Sequence, residues 1–431
     1  MRAYTGRLMD RLLITGGARC TGTLRVAGAK NSALKLMAAA LLAPGRTVLR
    51  NVPGIQDCRT MAEVLERLGA GVAWQGDSVT IDASDLTSVE APYDLVRRMR
   101  ASTAVLGSLL ARAGRARIAM PGGDEIGSRP IDLHVQGLRK MGAEIASEHG
   151  FLVAKTTGLR GAAITLDYPS VGATENLMMA AVLARGTTVI DNAAREPEIA
   201  DISAFLVTMG GRIDGAGTST IEIEGVDSLT PADHVTIPDR IETGTWAAAA
   251  VASRGDVTLE NARPDHLDLF LHKLADAGAD VVMTEQGLRI RQADRARAID
   301  FVTLPYPGVA TDFQPILMAM LATAEGTSIA TENVFESRFL YVDELRRMGA
   351  DIRTEGHHAV IRGVERLSAA PVRALDIRAG AAMAIAALAA DGVTEILELQ
   401  HLDRGYEGFV AKMQALGVDV QRVEEPAVHL P

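Results

Sequence analysis

Cysteine is nearly absent from this sequence, and aromatic residues are few. The only two cysteines, Cys20 and Cys58, are too few for a disulfide framework or a four-thiolate metal site, and they indicate reduced thiols in a cytosolic protein. Aromatic residues make up 4% of the chain, which does not favour a surface on which nucleic-acid bases stack. The net charge of −10 likewise argues against nonspecific binding to DNA or RNA.

Long apolar runs and familiar cofactor motifs are missing too. No apolar run reaches about 18 residues, and the N-terminal stretch has no cleavable apolar core, so we expect a cytoplasmic protein without a membrane span. We find no phosphate loop, no dinucleotide fingerprint and no nucleophile elbow. The adjacent His357 and His358 would face opposite sides of a strand, and no acid and histidine cluster has the spacing of metal ligands. We therefore expect no metal site.

What the sequence does contain is one unit repeated six times. In each copy an alanine-rich helical stretch ends at a glycine, a short strand follows, and a second helical stretch ends at another glycine. The first glycine recurs at intervals of 66 to 72 residues, at Gly45, Gly114, Gly186, Gly255, Gly326 and Gly392. A chain of 431 residues exceeds the size of a single core, so six copies predict an α/β protein with two domains of three.

The two ends of the chain complement each other. The last copy stops after 418–423, and the N-terminal segment resembles residues 359–380. We infer that the N-terminal strands complete the last copy. The predicted domains are then 30–236 and, discontinuously, 1–29 plus 237–431. The backbone would cross between these domains twice, which suits a hinge.

Basic residues recur where the first helix of each copy begins. The six starts carry Lys30-Asn31, Arg100, Ser170-Val171-Gly172, Arg240-Ile241-Glu242, Asp312 and Arg378. A basic side chain opposes the partial positive charge of a helix N-terminus, unless an anion lies nearby. Any one of these side chains could simply reach solvent, but their recurrence favours a phosphate or carboxylate site. Asp312 could cap its helix or serve as a general base beside a substrate hydroxyl, and we favour the base.

The segment AMPGGDEIGSRPIDLH (119–134) is a candidate lid for such a site. Its paired glycines permit backbone conformations that are closed to other residues, and functional loops often stand on a rigid scaffold. It could equally be a solvated surface loop. Arg338 and Arg404 stand beside acids in two other segments, where each could form a surface ion pair or bind an anion bidentately.

Ten segments spread over the whole chain resemble the UDP-N-acetylglucosamine 1-carboxyvinyltransferase family. They are GAKNSALKLMAAALLA (28–43), MRAS (99–102), PGGDEIGSRPIDLH (121–134), SVGATEN (170–176), NAAREPEI (192–199), PDRIETGT (238–245), TDFQP (311–315), ENVFESRF (332–339), DIRAG (376–380) and HLDRGYE (401–407). The resemblance implies a two-domain inside-out α/β barrel, the enolpyruvyl transferase fold, with six βαβαββ repeats and three per domain. It also implies that phosphoenolpyruvate and UDP-N-acetylglucosamine are the substrates. The enolpyruvyl group would pass to the 3′-hydroxyl with release of phosphate, in the first committed step of peptidoglycan synthesis and without a cofactor.

The same resemblance assigns roles to individual residues. Phosphoenolpyruvate would be bound by Lys30, Asn31, Arg100, Arg129, Arg378 and Arg404. UDP-N-acetylglucosamine would be bound by Asn31, Arg100, Arg129, Pro130, Ile131, Asp132, Leu133, Ser170, Val171, Gly172, Asp312 and Val334. The catalytic set would be Asp124 as the proton donor of the mobile loop 119–134, Asp312 at the attacking hydroxyl, Lys30 and Arg404.

Asp124 departs from the family pattern, because most members carry cysteine at this position. Burial beside a phosphate dianion would favour the neutral carboxylic acid, which can still donate a proton. A carboxylate cannot form the thiol adduct by which fosfomycin inactivates the family, so we expect a fosfomycin-insensitive enzyme. Tyr168-Pro169, where some members place lysine, and GVATD (308–312), without the usual Phe-Pro, are two smaller departures.

Two other functions remain open at this point. The chain could be a paralogous enolpyruvyl transferase that acts on another nucleotide, as in nucleoside-antibiotic pathways. It could also be an inactive regulatory homologue, although the full set of arginines argues against this. The shikimate-pathway homologue fits the 121–134 segment less well. The sequence does not indicate an oligomeric state.

Overall fold

The computed structural model describes residues 8–96, 98–99, 103–120, 127 and 131–426. This part of the chain forms two compact units. The N-terminal unit lies within Ala27–Pro238, and the C-terminal unit combines the chain up to Val26 with the chain from Asp239 onward. Among the described residues, we find no helix with the length and apolar character needed to cross a membrane.

Seven α-helices lie in the described part of each unit. Those of the N-terminal unit are α1 (Lys30–Ala39), α2 (Gln56–Arg67), α3 (Tyr93–Val96), α4 (Val105–Ala113), α5 (Asp132–Lys140), α6 (Val171–Ala181) and α7 (Pro197–Thr208). Those of the C-terminal unit are α8 (Arg240–Ala252), α9 (Asp268–Asp276), α10 (Gln314–Leu321), α11 (Val342–Arg347), α12 (Ile377–Leu388), α13 (Gln400–Asp403) and α14 (Phe409–Ala415). Short 3₁₀ turns span Ala40–Leu42, Pro264–His266 and Thr311–Phe313.

The strands divide between the same two units. The N-terminal unit contains β3 (Arg46–Arg50), β4 (Gly71–Gln75), β5 (Ser78–Asp82), β6 (Glu90–Ala91), β7 (Arg115–Ala119), β8 (Glu144–Glu148), β9 (Phe151–Lys155), β10 (Ala163–Thr165), β11 (Thr187–Asp191), β12 (Arg212–Asp214), β13 (Thr220–Glu224) and β14 (Asp233–Val235). The C-terminal unit contains β1 (Leu8–Thr15), β2 (Thr21–Arg25), β15 (Asp256–Glu260), β16 (Asp280–Thr284), β17 (Gly287–Arg291), β18 (Phe301–Val302), β19 (Thr327–Thr331), β20 (Asp351–Glu355), β21 (His358–Arg362), β22 (Leu367–Ser368), β23 (Pro371–Arg373), β24 (Ala390–Asp391), β25 (Val393–Leu397) and β26 (Val420–Pro426).

Six four-stranded sheets share one topology. Each has a parallel edge pair, followed by two antiparallel pairings, as in β10-β11-β13-β12. The other five are β14-β3-β5-β4, β6-β7-β9-β8, β16-β17-β15-β2, β18-β19-β21-β20 and β23-β25-β1-β26. The parallel edge strand always comes from the end of the preceding repeat. Because β14 returns to β3 in this way, the three sheets of the N-terminal unit form a closed cycle.

The N-terminal strands close the C-terminal unit in the same way. Strand β1 lies between β25 and β26, where Leu12 pairs with Ile396 on one side and with Arg422 on the other. It supplies the strand that the last repeat lacks, as inferred. Strand β2 is the final strand of the same repeat, and it pairs with β15 in the first sheet of this unit. The reason is the common topology, in which the final strand of a repeat joins the next sheet.

Alanine-rich helices fill the centre of each unit. Helices α1, α4 and α6 in one unit and α8, α10 and α12 in the other are buried on nearly all sides, as expected for helices that are apolar around their whole circumference. Small alanine side chains allow the helix backbones to approach closely. The sheets therefore surround helices, which is the predicted inside-out arrangement.

The predicted helix-ending glycines adopt positive φ at all but one position of the first series. The exception is Gly255, where Arg254 takes the left-handed conformation instead, with φ of 55°. A Cβ atom on Gly255 would lie 2.1 Å from the carbonyl oxygen of Cys20, so this glycine is required by a close approach of two backbones. The helix stop of the fourth repeat was therefore predicted, but its left-handed residue is Arg254, one residue before the predicted glycine.

Candidate active site

Lys30 begins α1 and makes an ion pair inside the N-terminal unit. Its Nζ atom lies 3.0 Å from Oδ2 of Asp57, and both residues are buried. Asp57 stands in the first turn of α2. From the sequence we expected a ligand to balance the charge of Lys30 at a helix start, and Asp57 provides part of this balance. The neighbouring Asn31 is half-buried.

Asp201 holds the first turn of α1 in place. Its Oδ2 atom accepts a hydrogen bond from the hydroxyl of Ser32, and its Oδ1 atom lies 2.8 Å from Nε2 of His234. The backbone N–H of Ile237 also donates to Oδ2, over 3.4 Å. Asp201, which lies in α7, thus links the first turn of α1, where Lys30 lies, to β14 and to the segment that follows β14. Asp201 was not predicted from the sequence, because its partners are distant in the chain.

The predicted nucleotide residues of this unit lie at the first turns of two packed helices. Ile131 precedes α5, Asp132 and Leu133 begin it, and the Oγ atom of Ser170 caps α6 by accepting from the N–H of Ala173 over 3.3 Å. A Cβ atom on Gly172 would lie 3.4 Å from both Cε1 and Nε2 of the His134 imidazole in α5. The two helix starts therefore come together, and helix N-termini favour anions.

Glu175 is an unexpected charged residue inside this unit. It is fully buried in α6 and forms an ion pair with Lys35 of α1, with 2.5 Å between Nζ and Oε2. Burial raises the pKa of Glu175 to about 7, opposed by the nearby Lys35 and supported by Glu198 and Glu196. Its Oε1 atom has no hydrogen-bond partner among the described residues.

Four predicted site residues lie outside the described residues. They are Arg100, Asp124, Arg129 and Pro130. Their positions and roles stay predictions.

Asp312 is the centre of a charged cluster in the C-terminal unit. It stands in the 3₁₀ turn that leads into α10, and its Oδ2 atom accepts a hydrogen bond from Nε of Arg378 over 3.1 Å. Arg338 approaches Oδ1 at 3.5 Å. Neither the 3₁₀ turn nor α10 has a side-chain cap. The N-cap residues are Ala310 and Phe313, and the Asp312 carboxylate lies against the two arginines, an arrangement that supports the role of a base.

The two arginines of this cluster have unused hydrogen-bonding capacity. The side chain of Arg338 is 1% exposed and that of Arg378 is 5% exposed, whereas the Asp312 side chain is 27% exposed. Nε of Arg338 and Nη1 of Arg378 are buried without a hydrogen-bond partner in the described chain. Because buried polar groups are nearly always paired, such donors indicate a place for an anion. Arg338 therefore belongs to the candidate site rather than to a surface ion pair.

Arg378 is held by its own helix and by an aromatic ring. Asp376 caps α12 by accepting from the N–H groups of Arg378 and Ala379 over 2.7 and 3.0 Å. The guanidinium carbon of Arg378 lies 5.3 Å from the ring centre of Tyr406, within the range of a cation–π contact. Burial by itself would lower the pKa of Arg378, but Tyr406, Asp312 and Asp239 hold it above its ordinary value.

Aspartate caps explain how two of the basic helix starts are tolerated. Asp239 caps α8 immediately before Arg240, by accepting from the N–H groups of Ile241 and Glu242 over 2.7 and 3.0 Å. Asp376 does the same for α12. A carboxylate at the N-cap offsets the unfavourable basic side chain that follows it. The signal was present in the sequence as an aspartate just ahead of each arginine.

Glu332 connects Val334 to the Asp312 turn. Its Oε1 atom accepts from the N–H groups of Val334 and Phe335 over 2.8 and 3.1 Å, and its Oε2 atom accepts from the hydroxyl of Thr311 over 3.0 Å. This buried carboxylate was also missed, since only contacts between distant segments reveal it. Val334 itself is half-buried.

Arg404 stands at the end of α13 and is half-buried. Its neighbour Asp403 binds Arg422 of β26 through both carboxylate oxygens, each at 2.8 Å. Across the residues that the structure describes, no three His, Cys, Asp or Glu side chains gather in the manner of a metal site.

Comparisons with known proteins agree with this arrangement. The family model of EPSP synthase (3-phosphoshikimate 1-carboxyvinyltransferase) matches residues 14–413. The UDP-N-acetylglucosamine 1-carboxyvinyltransferase of Corynebacterium jeikeium (strain K411) is 54% identical over 417 residues, which span 97% of this chain and 100% of that protein. The protein of the same name from Nocardia farcinica (strain IFM 10152) is 53% identical over 422 residues, spanning 96% of this chain and 99% of that protein.

A solved structure extends the likeness to the fold. The crystal structure of the enolpyruvyl transferase NikO from Streptomyces tendae matches with a TM-score of 0.87 and 27% identity, and covers 97% of this chain and 100% of that one. Together with the six sheets of one topology, this match confirms the predicted enolpyruvyl transferase fold. The chain belongs to the enolpyruvyl transferase family described by the EPSP synthase model and, within it, to the UDP-N-acetylglucosamine 1-carboxyvinyltransferases.

Proposed function

We propose that this protein transfers the enolpyruvyl group of phosphoenolpyruvate to the 3′-hydroxyl of UDP-N-acetylglucosamine and releases inorganic phosphate, as the first committed step of peptidoglycan synthesis. The observation that carries this proposal is the pairing of Asp312 with Arg338 and Arg378, two buried cations that each keep a donor without a partner among the described residues. A carboxylate base beside such cations suits a reaction in which a hydroxyl attacks a molecule that carries two anionic groups.

Phosphoenolpyruvate carries two anionic groups, a phosphate and a carboxylate. In this proposal these groups are bound by Lys30, Asn31, Arg100, Arg129, Arg378 and Arg404. The buried Nε of Arg338 beside Asp312, which has no partner in the described chain, supports including Arg338 as well. Bidentate arginine contacts orient the substrate and stabilise the charge that develops during the reaction. A substrate that draws Arg338 and Arg378 toward its own oxygens would also free Asp312 to accept a proton.

The reaction then proceeds by addition and elimination. Asp312 accepts the proton of the 3′-hydroxyl as its oxygen forms a bond to C2 of phosphoenolpyruvate, and Asp124 donates a proton to C3. In the second half, the bond from C2 to the phosphate oxygen breaks, phosphate leaves with the bonding electrons, and C3 returns a proton to the Asp124 carboxylate as the double bond is restored. Closure of loop 119–134 would exclude water, which competes as a nucleophile.

The nucleotide occupies the helix starts of the N-terminal unit. Residues 129–133 and 170–172 line the uridine diphosphate, and the N-termini of α5 and α6 favour its negative charge. Cys20 and Cys58 are buried and are not joined in a disulfide, which supports a cytoplasmic location.

Phosphate release tests this function directly. Purified protein is incubated with phosphoenolpyruvate and UDP-N-acetylglucosamine, and inorganic phosphate and the enolpyruvyl nucleotide are measured. Both products are expected in equal amounts only when both substrates are present. A panel of other uridine nucleotides separates this function from that of a paralogous transferase, which would release phosphate faster with a different acceptor. The identities of 54% and 53% to relatives that bear the name of this activity, against 27% to the NikO structure, support the proposed acceptor.

A further inference from the structure

The hydroxyl of Thr245 fixes the direction of a hydrogen bond next to Arg378. Thr245 is buried in α8, and its Oγ1 atom donates to the carbonyl oxygen of Ile241 over 2.7 Å. A hydroxyl has a single hydrogen, so Oγ1 has only lone pairs left for the hydroxyl of Tyr406, which lies 2.9 Å away. Tyr406 therefore donates its own hydrogen to Thr245, and its oxygen can only accept from other groups.

Arg378 is the neighbour that uses this acceptor. The side chains of Arg378 and Tyr406 are hydrogen-bonded, and the guanidinium carbon lies 5.3 Å from the centre of the tyrosine ring. Because a guanidinium only donates, the hydrogen bond runs from Arg378 to the oxygen that Thr245 has oriented. The groups form one directed chain of hydrogen bonds, from Arg378 through Tyr406 and Thr245 to the carbonyl oxygen of Ile241.

The Tyr406 ring is held in place by its packing. A Cβ atom on the preceding Gly405 would lie 2.2 Å from Cγ2 of Ile377, the first residue of α12. Only glycine lets this segment pass so close to the helix that carries Arg378. The ring also contacts Phe409 edge-on, with 5.5 Å between the ring centres. Neither contact involves the hydroxyl, so a ring without the hydroxyl would keep its place.

A neutral acceptor suits an arginine that binds an anion. Nε of Arg378 donates to Asp312, and Nη1 is buried without a partner among the described residues. A second carboxylate here would neutralise the guanidinium, whereas the Tyr406 hydroxyl satisfies one of its donors and leaves its charge in place. Burial raises the pKa of Tyr406 above its ordinary value, against the opposing effects of Arg378 and Thr245, so this hydroxyl stays protonated and neutral.

We propose that Tyr406 is a positioning residue whose hydroxyl, oriented by Thr245, fixes the Arg378 guanidinium with Nε on Asp312 and Nη1 directed to an anionic group of phosphoenolpyruvate. This inference rests on the proposed function for the identity of the anion, whereas the direction of the hydrogen bonds follows from the geometry. It assigns a role to two buried hydroxyls that the reaction scheme above does not use.

Removal of the tyrosine hydroxyl tests this role. Tyr406→Phe keeps the ring and its contact with Phe409, but it leaves a donor of Arg378 without its acceptor. We expect the KM for phosphoenolpyruvate to rise about tenfold, as for the loss of a hydrogen bond to a charged group, and the Kd for UDP-N-acetylglucosamine to stay within about twofold. Phosphate release and calorimetry measure the two quantities. A wild-type KM in Tyr406→Phe would overturn the inference.

Substitutions of Thr245 separate the orientation of the hydroxyl from packing. Thr245→Val keeps the shape of the side chain but accepts no hydrogen bond, so the KM for phosphoenolpyruvate should rise about fivefold. Thr245→Ser keeps the hydroxyl and should preserve the wild-type KM. The double variant Tyr406→Phe/Thr245→Val should be no worse than Tyr406→Phe alone, because Thr245 acts through Tyr406. Additive losses, or a serine variant as impaired as the valine variant, would overturn the inference.

Ser253→Ala is the matched control for stability. Ser253 is the buried C-cap residue of α8, and its hydroxyl donates to the carbonyl oxygen of Ala249 over 2.7 Å and accepts from the N–H of Cys20 over 3.1 Å. Its loss should lower the melting temperature as Thr245→Val does, at an unchanged KM for phosphoenolpyruvate. A KM that follows the melting temperature in all variants would overturn the positioning role.

The same assay separates this inference from the proposed function. A wild-type protein that releases no phosphate from phosphoenolpyruvate and UDP-N-acetylglucosamine would overturn the proposed function, and with it the anion named here. An active wild-type protein whose KM for phosphoenolpyruvate is indifferent to Tyr406→Phe would overturn this inference alone.

Discussion

Arg378 donates its Nε–H to the Oδ2 atom of Asp312 over 3.1 Å, at the start of α12. This contact joins the residue to which we assign proton abstraction to a residue to which we assign anion binding. The two functions are therefore not independent. Occupation of the arginines by substrate and release of the carboxylate become parts of one event.

Replacing Asp312 by asparagine should separate turnover from substrate binding. The amide keeps the shape of the side chain but cannot accept the hydroxyl proton, so we expect kcat to fall by about a hundredfold or more, with little change in the Kd for phosphoenolpyruvate. Steady-state phosphate release and calorimetric binding measure the two quantities. Asp343→Asn, at a side chain that is 78% exposed, is the control. Asp312→Asn with normal turnover would contradict the assigned base.

Replacing Arg338 by methionine should weaken the binding of phosphoenolpyruvate. The loss of a charged hydrogen-bond donor to an anion predicts a KM that is higher by about tenfold or more, and lysine should restore part of it because it keeps the charge without the bidentate geometry. Arg366→Met removes an arginine whose side chain is 70% exposed and serves as the control. An unchanged KM in Arg338→Met would exclude Arg338 from the anion site.

Glu175 should make stability depend on pH. Its pKa rises on folding from 4.5 to about 7, so its stabilising contribution is fully present below pH 4.5 and is lost as the pH rises through 7. A shift of this size corresponds to about 3 kcal/mol. Glu175→Gln does not titrate, so we expect a flatter dependence of the urea midpoint on pH between 5 and 8. Glu222→Gln, at an exposed position of β13, is the control. Parallel curves for Glu175→Gln and the wild type would refute the prediction.

Fosfomycin should leave the wild-type activity intact. A carboxylate at position 124 cannot form the adduct of a thiol with the epoxide, so phosphate release should be unchanged after incubation with the drug. Asp124→Cys should retain activity and become sensitive, with a mass increase equal to one drug molecule. Time-dependent inactivation of the wild-type protein would show that the drug acts through another residue.

The repeated architecture could be predicted from sequence because its signals are local. Glycine ends each helical stretch, and alanine-rich segments indicate helices buried on all sides, so each copy carries its own pattern. The sheet to which β2 belongs could not be predicted, since a strand that pairs with the next repeat has the same local sequence as one that pairs with its own. Likewise, Gly255 signals a helix stop, although Arg254 takes the left-handed conformation.

The residues of the candidate site also fall into those that local sequence signals predict and those that they do not. Lys30 and Arg378 could be found because a basic residue at a helix start conflicts with the helix dipole. Asp57 and Arg338 could not be found, because their roles depend on contacts between segments that are far apart in sequence. Asp124 was singled out by comparison with a family pattern, and its place in the site is still a prediction.

The position of β1 has a consequence for synthesis on the ribosome. Arg11 of β1 pairs with Glu395 of β25, a residue 384 positions later, whereas the sheets of the N-terminal unit are all complete once β14 has emerged. The N-terminal unit can therefore fold during translation, while β2 stays unpaired until β15 has emerged and β1 stays unpaired for nearly the whole chain. Contacts of such long separation form slowly, and unpaired edges are prone to association. The newly made β1–β2 segment is thus where we expect a nascent-chain chaperone to bind.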